Sequence, residues 1–226
     1  MTRNDMQNRR RTLKGFTLIE LIVVIGIITI LLAVFVPNLV SYITRSRLHT
    51  ANNEARVAFN AAQTVCQEFE FLDRNGRSSE FYGQESDAAC TIGEFFLYII
   101  PGADGAMIDK CTLGTTSGDR TNDDLKAILN GDAPDVARLT ANNDSKASSF
   151  MGRMARLVDD FDHMCYAIYI KDYQVQRVIC AEKAGTDVLG SFPNSTSDPG
   201  DIVVAEGEGF ISTIEGLNLD NMKTIS

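Results

Sequence analysis

Lys14-Gly15-Phe16-Thr17-Leu18-Ile19-Glu20 opens the stretch whose reading decides how this chain is organised. From Phe16 to Val36 the sequence is apolar apart from Thr17, Glu20, Thr29 and the small Gly26 and Ala33, a run of 21 residues. A helix needs ~20 such residues to cross a hydrocarbon core. Upstream, Arg3, Arg9, Arg10, Arg11 and Lys14 stand against Asp5 alone, a net +4. A basic cluster ahead of an apolar span keeps the N-terminus in the cytoplasm and sends the remainder across. Taking that +4 from the formal charge of −9 leaves −13 for the exported part, which is strongly acidic.

The 226 residues are 44% hydrophobic and 23% charged, enough apolar side chain for a core and too much for disorder. A pI of 4.7 argues against bulk nucleic-acid binding, which shows a basic balance. A secretory signal fits poorly, since its apolar region runs about 7–15 residues to a small-x-small site. This run is longer and ends at Val36-Pro37-Asn38. An ordinary one-pass anchor accounts for the length but not for Glu20. An acidic side chain deep in a bilayer costs roughly 2.5–3.5 kcal/mol and so takes a partner. No cation follows Glu20 before Arg45. The partner must come from the lipid interface, from another chain, or from a charge made by cutting nearby. A cut between Gly15 and Phe16 makes one, an α-amino group one helical turn from Glu20.

This arrangement of basic leader, Gly15, Phe16, Glu20 and unbroken apolar run resembles the processing site of type IV prepilins and type II secretion pseudopilins. The resemblance covers Lys14 to Ser41 and implies a set of roles. A prepilin peptidase cuts after Gly15 and methylates the Phe16 nitrogen, while Glu20 neutralises that amine and sets the stagger during assembly. Pro37 falls where such proteins carry a helix-kinking proline. The expected partners are further copies in a helical filament, the peptidase, a membrane assembly platform, and the bilayer before assembly. The implied order is leader 1–15, membrane and filament-core helix 16–36, amphipathic half-helix 37–74 and exported head 75–226.

Beyond the anchor, Leu48, Ala51, Ala55, Ala58, Ala62, Val65 and Phe69 alternate steps of three and four, an apolar helical stripe. Asn52, Asn53, Glu54, Asn60, Gln63 and Gln67 occupy the other faces. Asp73-Arg74-Asn75-Gly76 reads as the stop, with Gly76 as a left-handed cap. A continuous helix from Phe16 to Leu72 would be roughly 85 Å long. Pro37 removes one backbone hydrogen bond and predicts a bend. Gly26 lowers helix propensity, so Gly26 to Pro37 is the stretch expected to unwind on moving from lipid to filament.

The remainder reads as a mixed head, giving an α+β class with an antiparallel sheet laid on the amphipathic half of the helix. Phe95 to Ile100 is an apolar patch; Thr121 to Leu125 starts a capped helix ending at Asn130-Gly131; Phe150, Met154, Leu157 and Val158 mark another. Two β-rich runs within Cys165–Ala181 predict a hairpin centred on Asp172-Tyr173, with Tyr166, Ile168, Ile170, Val175 and Ile179 on the buried face. Ile202 to Ala205 is a third candidate strand.

An odd five cysteines, Cys66, Cys90, Cys111, Cys165 and Cys180, leave at least one unpaired. The hairpin register sets Cys165 opposite Cys180 and suggests a bridge; Cys90–Cys111 is a second candidate. There is no HExxH, phosphate loop, GxSxG or Cys-x-x-Cys, and no cofactor is expected. Asp162, His163 and Cys165 are a conceivable metal set, but a structural turn is the expectation. Asp198-Pro199-Gly200-Asp201 and Asp73-Arg74-Asn75-Gly76 have calcium-loop residue types without the ligand spacing, and plain turns are expected over calcium. An anchored enzyme lacks a readable nucleophile and base. A structural filament subunit is therefore favoured. The alternatives are a secretion pseudopilin, or a minor pilin acting as adhesin or DNA-uptake factor through Arg45, Arg47 and Arg56.

Overall fold

The computed structural model describes residues 16–74, 93–103, 105–114, 122–132, 149–159, 161–198 and 213–225. The leader with Gly15, the Gly76 stop, Cys90, Thr121, the strand expected at Ile202–Ala205 and most of the Asp198–Asp201 loop lie outside them. The chain divides into two compact units between Ile43 and Thr44.

The first unit is apolar helix. Helix α1, Leu18–Arg74, begins here and carries Pro37 within it. The helix is unbroken through Gly26 and Pro37. Pro37 has no N–H to offer the Ala33 carbonyl. The polar side chains of this stretch turn back onto the helix: Thr29 Oγ1 donates to Ile25 O at 2.7 Å, Asn38 Nδ2 to Val34 O at 3.1 Å and Ser41 Oγ to Pro37 O at 3.3 Å. Such back-bonding satisfies polar groups without water, as a hydrocarbon surrounding requires. Every residue from Phe16 to Ile43 is exposed.

The second unit is the head, with the later turns of α1 as one of its layers. Five strands, β1 (Glu94–Gly102), β2 (Gly105–Leu113), β3 (Cys165–Lys171), β4 (Gln174–Ala181) and β5 (Leu189–Phe192), form an antiparallel sheet in the order β2-β1-β3-β4-β5. All seven residues of the predicted stripe are buried, none more than 3% exposed, with Ala61 and Cys66 beside them. From Ala55 to Phe69 they pack on one sheet face, in one core with Leu97, Ile99, Ile168, Ile170 and Val178 among others. Alanines let the helix backbone come close, and Gly190 of β5 exploits this. A Cβ there would sit 2.1 Å from the Ala51 carbonyl carbon and 2.3 Å from Asn52 N.

Two helices complete this layer. In α2 (Asn122–Asn130), Gly131 takes the left-handed conformation at φ 82°, as expected of a C-terminal cap. Gly131 N–H reaches Ile128 O at 3.0 Å and Asp132 N–H reaches Ala127 O at 2.8 Å, a Schellman ending. In α3 (Phe150–Leu157), Ser149 caps the start by accepting from Gly152 N–H at 3.1 Å. Arg153 of α3 holds Glu68 of α1 and lies 4.8 Å over the Phe69 ring.

The hairpin turns at Asp172-Tyr173, where it was expected, with both residues at positive φ (49° and 63°). The register differs from the sequence reading. Lys171 pairs with Gln174 and Ile170 with Val175, but a bulge then sets Tyr169 opposite Arg177 and shifts every later pair by one residue. Ile179 therefore faces away from the helix, while Val178 and Cys180 face it. Cys165 pairs with Ala181, on the opposite face from Cys180, and both are free thiols. A Cys165–Cys180 bridge is thus replaced by two separately buried cysteines. Cys111 is also a buried thiol; the Cys90–Cys111 pairing lies outside the described residues with Cys90.

The far face of the sheet is covered too. Phe96, Tyr98, Ala167, Tyr169 and Ile179 lie under Ile214 and Leu217 of a 3-10 turn (Ile214–Gly216) and its exit, and under Leu219, Met222 and Ile225 in and beside α4 (Leu219–Thr224). Lys223 of α4 and Lys171 of β3 both ion-pair with Glu94 of β1, the latter at 2.9 Å. They hold the Glu94 carboxyl down at about 2, first through the Lys171 hydrogen bond and then through Lys223.

Candidate assembly signal

Phe16, the first described residue, is non-helical and 86% exposed. Thr17 is the N-cap of α1: its carbonyl accepts from Leu21 N–H at 3.2 Å, while its own backbone is outside the helix. The two side chains then close a reciprocal pair. Thr17 Oγ1 accepts from Glu20 N–H at 3.3 Å, and Glu20 Oε2 accepts from Thr17 N–H at 3.1 Å and from Thr17 Oγ1–H at 3.0 Å. This is a capping box, satisfying two of the four donors that the first helical turn leaves orphaned.

Glu20 therefore has a partner inside its own chain, a source the sequence reading did not weigh among lipid, neighbour and new amine. The signal was present: Thr17-Leu18-Ile19-Glu20 has the spacing that the box requires. The pairing uses Oε2 alone in the contacts described, and the carboxylate is exposed. Glu20 also sits in the first turn, where the helix dipole favours a negative charge. What the geometry provides is a fixed carboxylate at the tip of an apolar helix, next to a non-helical Phe16.

Gly26 has open space where a Cβ would be. Its role is not steric within the single chain. The other sequence candidates do not assemble into a site. His163 Nδ1 lies 2.7 Å from Asp162 Oδ1 on the surface, whereas Cys165 is buried in the sheet. Among the described residues no three of His, Cys, Asp and Glu come together as metal ligands.

Sequence reasoning missed two residues that fix the head to the helix, having placed both on faces away from the packing stripe. Asn52 Oδ1 accepts from Ser191 N–H at 2.9 Å and Thr196 N–H at 3.2 Å, while its Nδ2 donates to Thr196 O at 2.9 Å. Gln63 Nε2 donates to Tyr173 O at 3.2 Å and its Oε1 accepts from Val175 N–H at 2.8 Å. Gln63 thus holds the turn in which the bulky Tyr173 adopts a left-handed conformation, a costly one for a side chain of that size.

The prokaryotic N-terminal methylation motif matches residues 10–36 of this chain. The type IV wide pilus major component PilA4 of Thermus thermophilus is 44% identical over 69 residues, 30% of this chain and 49% of that protein. The match thus spans about half the length of that relative. No solved structure matches the chain. The chain thus carries the N-terminal methylation motif at the start of a long apolar helix, with an antiparallel sheet packed on the later turns of that helix, and is similar over 30% of its length to a type IV pilus component.

Proposed function

We propose that this chain is a prepilin, cut after Gly15, N-methylated on Phe16 and assembled from the membrane into a type IV pilus-like filament. The observation that carries the reading is the exposed apolar helix that starts directly after the cleavage motif. Soluble monomers rarely expose a contiguous apolar patch beyond a few hundred Å². Here every residue over several helical turns is uncovered, so either lipid or other copies must cover it. Lipid serves first, with the basic leader inside and the acidic head outside. Neighbouring helices serve after assembly, in a filament on the outer side.

The non-helical backbone at Phe16 suits a peptidase, which needs extended chain at the bond it cuts. Cleavage turns the Phe16 nitrogen into an amine one residue before the Thr17 N–H that Glu20 already accepts. The carboxylate thus begins in a place from which it can take either its own amine or a neighbour's. A prepilin peptidase and a membrane assembly platform are the partners this route needs. The relative whose name is that of a major pilus component favours a pilus subunit over a secretion pseudopilin. The test is Gly15→Val in the native host. The chain should stay at leader-containing mass in the membrane, with no sheared filament; normal processing of that variant would refute the cleavage assignment.

A further inference from the structure

The sheet has two edges, β2 and β5, and each meets asparagine side chains on its outer side. On β2, Asn130 Oδ1 accepts from Ile108 N–H at 2.9 Å and Asn130 Nδ2 donates to Ile108 O at 3.2 Å. Asn122 Oδ1 accepts from Leu113 N–H at 3.0 Å. These asparagines are the first and last residues of α2, which therefore runs antiparallel to the edge it covers. On β5, Asn52 of α1 takes the Ser191 N–H.

The Asn130 contact is the pair of bonds that a residue on a neighbouring antiparallel strand would exchange with Ile108. A side-chain amide can make it once, and the chain behind it is helix, so the ladder ends there. An uncovered nine-residue edge is a template for pairing with another chain. The copy most available to any one head is a second copy of itself. We propose that Asn122 and Asn130 on one edge, and Asn52 on the other, seal the sheet against strand pairing between copies. The sealing is separate from the filament proposal, because it concerns dispersed chains equally.

The bland alternative is that these amides merely dock α2. Two substitutions separate the readings. Asn130→Ala and Asn130→Lys both remove the amide pair and loosen α2 alike, but a lysine on an edge itself blocks pairing. The full-length chain would be purified in detergent, and its association followed against concentration by light scattering and by the infrared band of intermolecular strands. The Ala variant should begin to associate through strands at about a tenfold lower concentration than wild type, the factor that one net hydrogen bond carries. The Lys variant should stay dispersed. Equal behaviour of the two, both dispersed or both associated, overturns the proposal. Should Asn130→Ala fail to fold, Asn122→Ala against Asn122→Lys frees only the Leu113 N–H, and the same comparison decides.

Discussion

Adding one methyl group at Gly190 tests the packing of the head on its helix. The Cβ of Gly190→Ala would fall 2.1, 2.3 and 2.4 Å from backbone atoms of Ala51 and Asn52. Those are main-chain atoms inside a helix and cannot swing aside, so helix and β5 must separate by more than an ångström. Overpacking of this kind costs about 1–3 kcal/mol. The separation also pulls Asn52 from Ser191 and Thr196, three hydrogen bonds with a net worth of about 1 kcal/mol each at most. The expected loss is about 3–5 kcal/mol, in the range reached only through a specific structural fault. At about 2–4 °C per kcal/mol for a domain of this size, the melting midpoint should fall by roughly 10 °C. The chain has no tryptophan, and all of its six tyrosines but Tyr42 lie beyond Ile43, so tyrosine fluorescence of the detergent-solubilised protein reports mainly the head. Gly185→Ala is the control, because a Cβ there meets nothing within 4 Å. Equal midpoints for the two variants would refute the close approach of β5 to α1.

Gln63→Ala should cost about 2 kcal/mol by orphaning groups of the Tyr173 turn, read as a lower denaturation midpoint with an unchanged slope. Thr17→Val removes the hydroxyl half of the capping box while keeping the shape. The expected loss is about 1 kcal/mol at the helix start, with Thr17→Ser restoring it, and filament yield after shearing should fall while cleavage persists. Stability should fall at both ends of the pH scale. Glu94 is held at about 2 against an ordinary 4.5, so its contribution is complete above 4.5 and fades as pH drops towards 2; Lys223→Met should flatten that limb. Burial pushes the Cys111 thiol up to about 12 from 9.0 and raises Cys66, Cys180 and Tyr166 as well. The unfolded chain ionises first, so stability is whole below about 9 and declines above it, which denaturation midpoints across pH would show. The same burial should keep Cys66 and Cys180 from reacting with an alkylating reagent until the head unfolds.

Legibility in the sequence followed the strength of the local pattern. The seven-residue stripe from Leu48 to Phe69 was readable because alternating steps of three and four, sustained along its whole length, admit one face only. The hairpin turn was readable as well, since two apolar runs flank Asp172-Tyr173. Its register was not, because nothing local to Gln176 announces a bulge. That single extra residue exchanged the faces taken by Ile179 and Cys180 and undid the cysteine pairing. Asn52 and Gln63 looked like solvent-facing amides, and only the arrival of β5 and the turn gives them partners. The C-terminal cover of the sheet escaped for a similar reason: Ile214, Leu217, Leu219, Met222 and Ile225 form elements too short to show a period. At the assembly signal, Gly15, Phe16 and Glu20 stood out by their order. Thr17 did not, although its spacing from Glu20 was sufficient to read the capping box.

The claim that this chain is a processed filament subunit is tested most directly by intact mass and N-terminal sequencing of protein sheared from the cell surface. A chain beginning at N-methylated Phe16 is the predicted result. A chain beginning at Met1 or Thr2, found only in the membrane fraction, would contradict it.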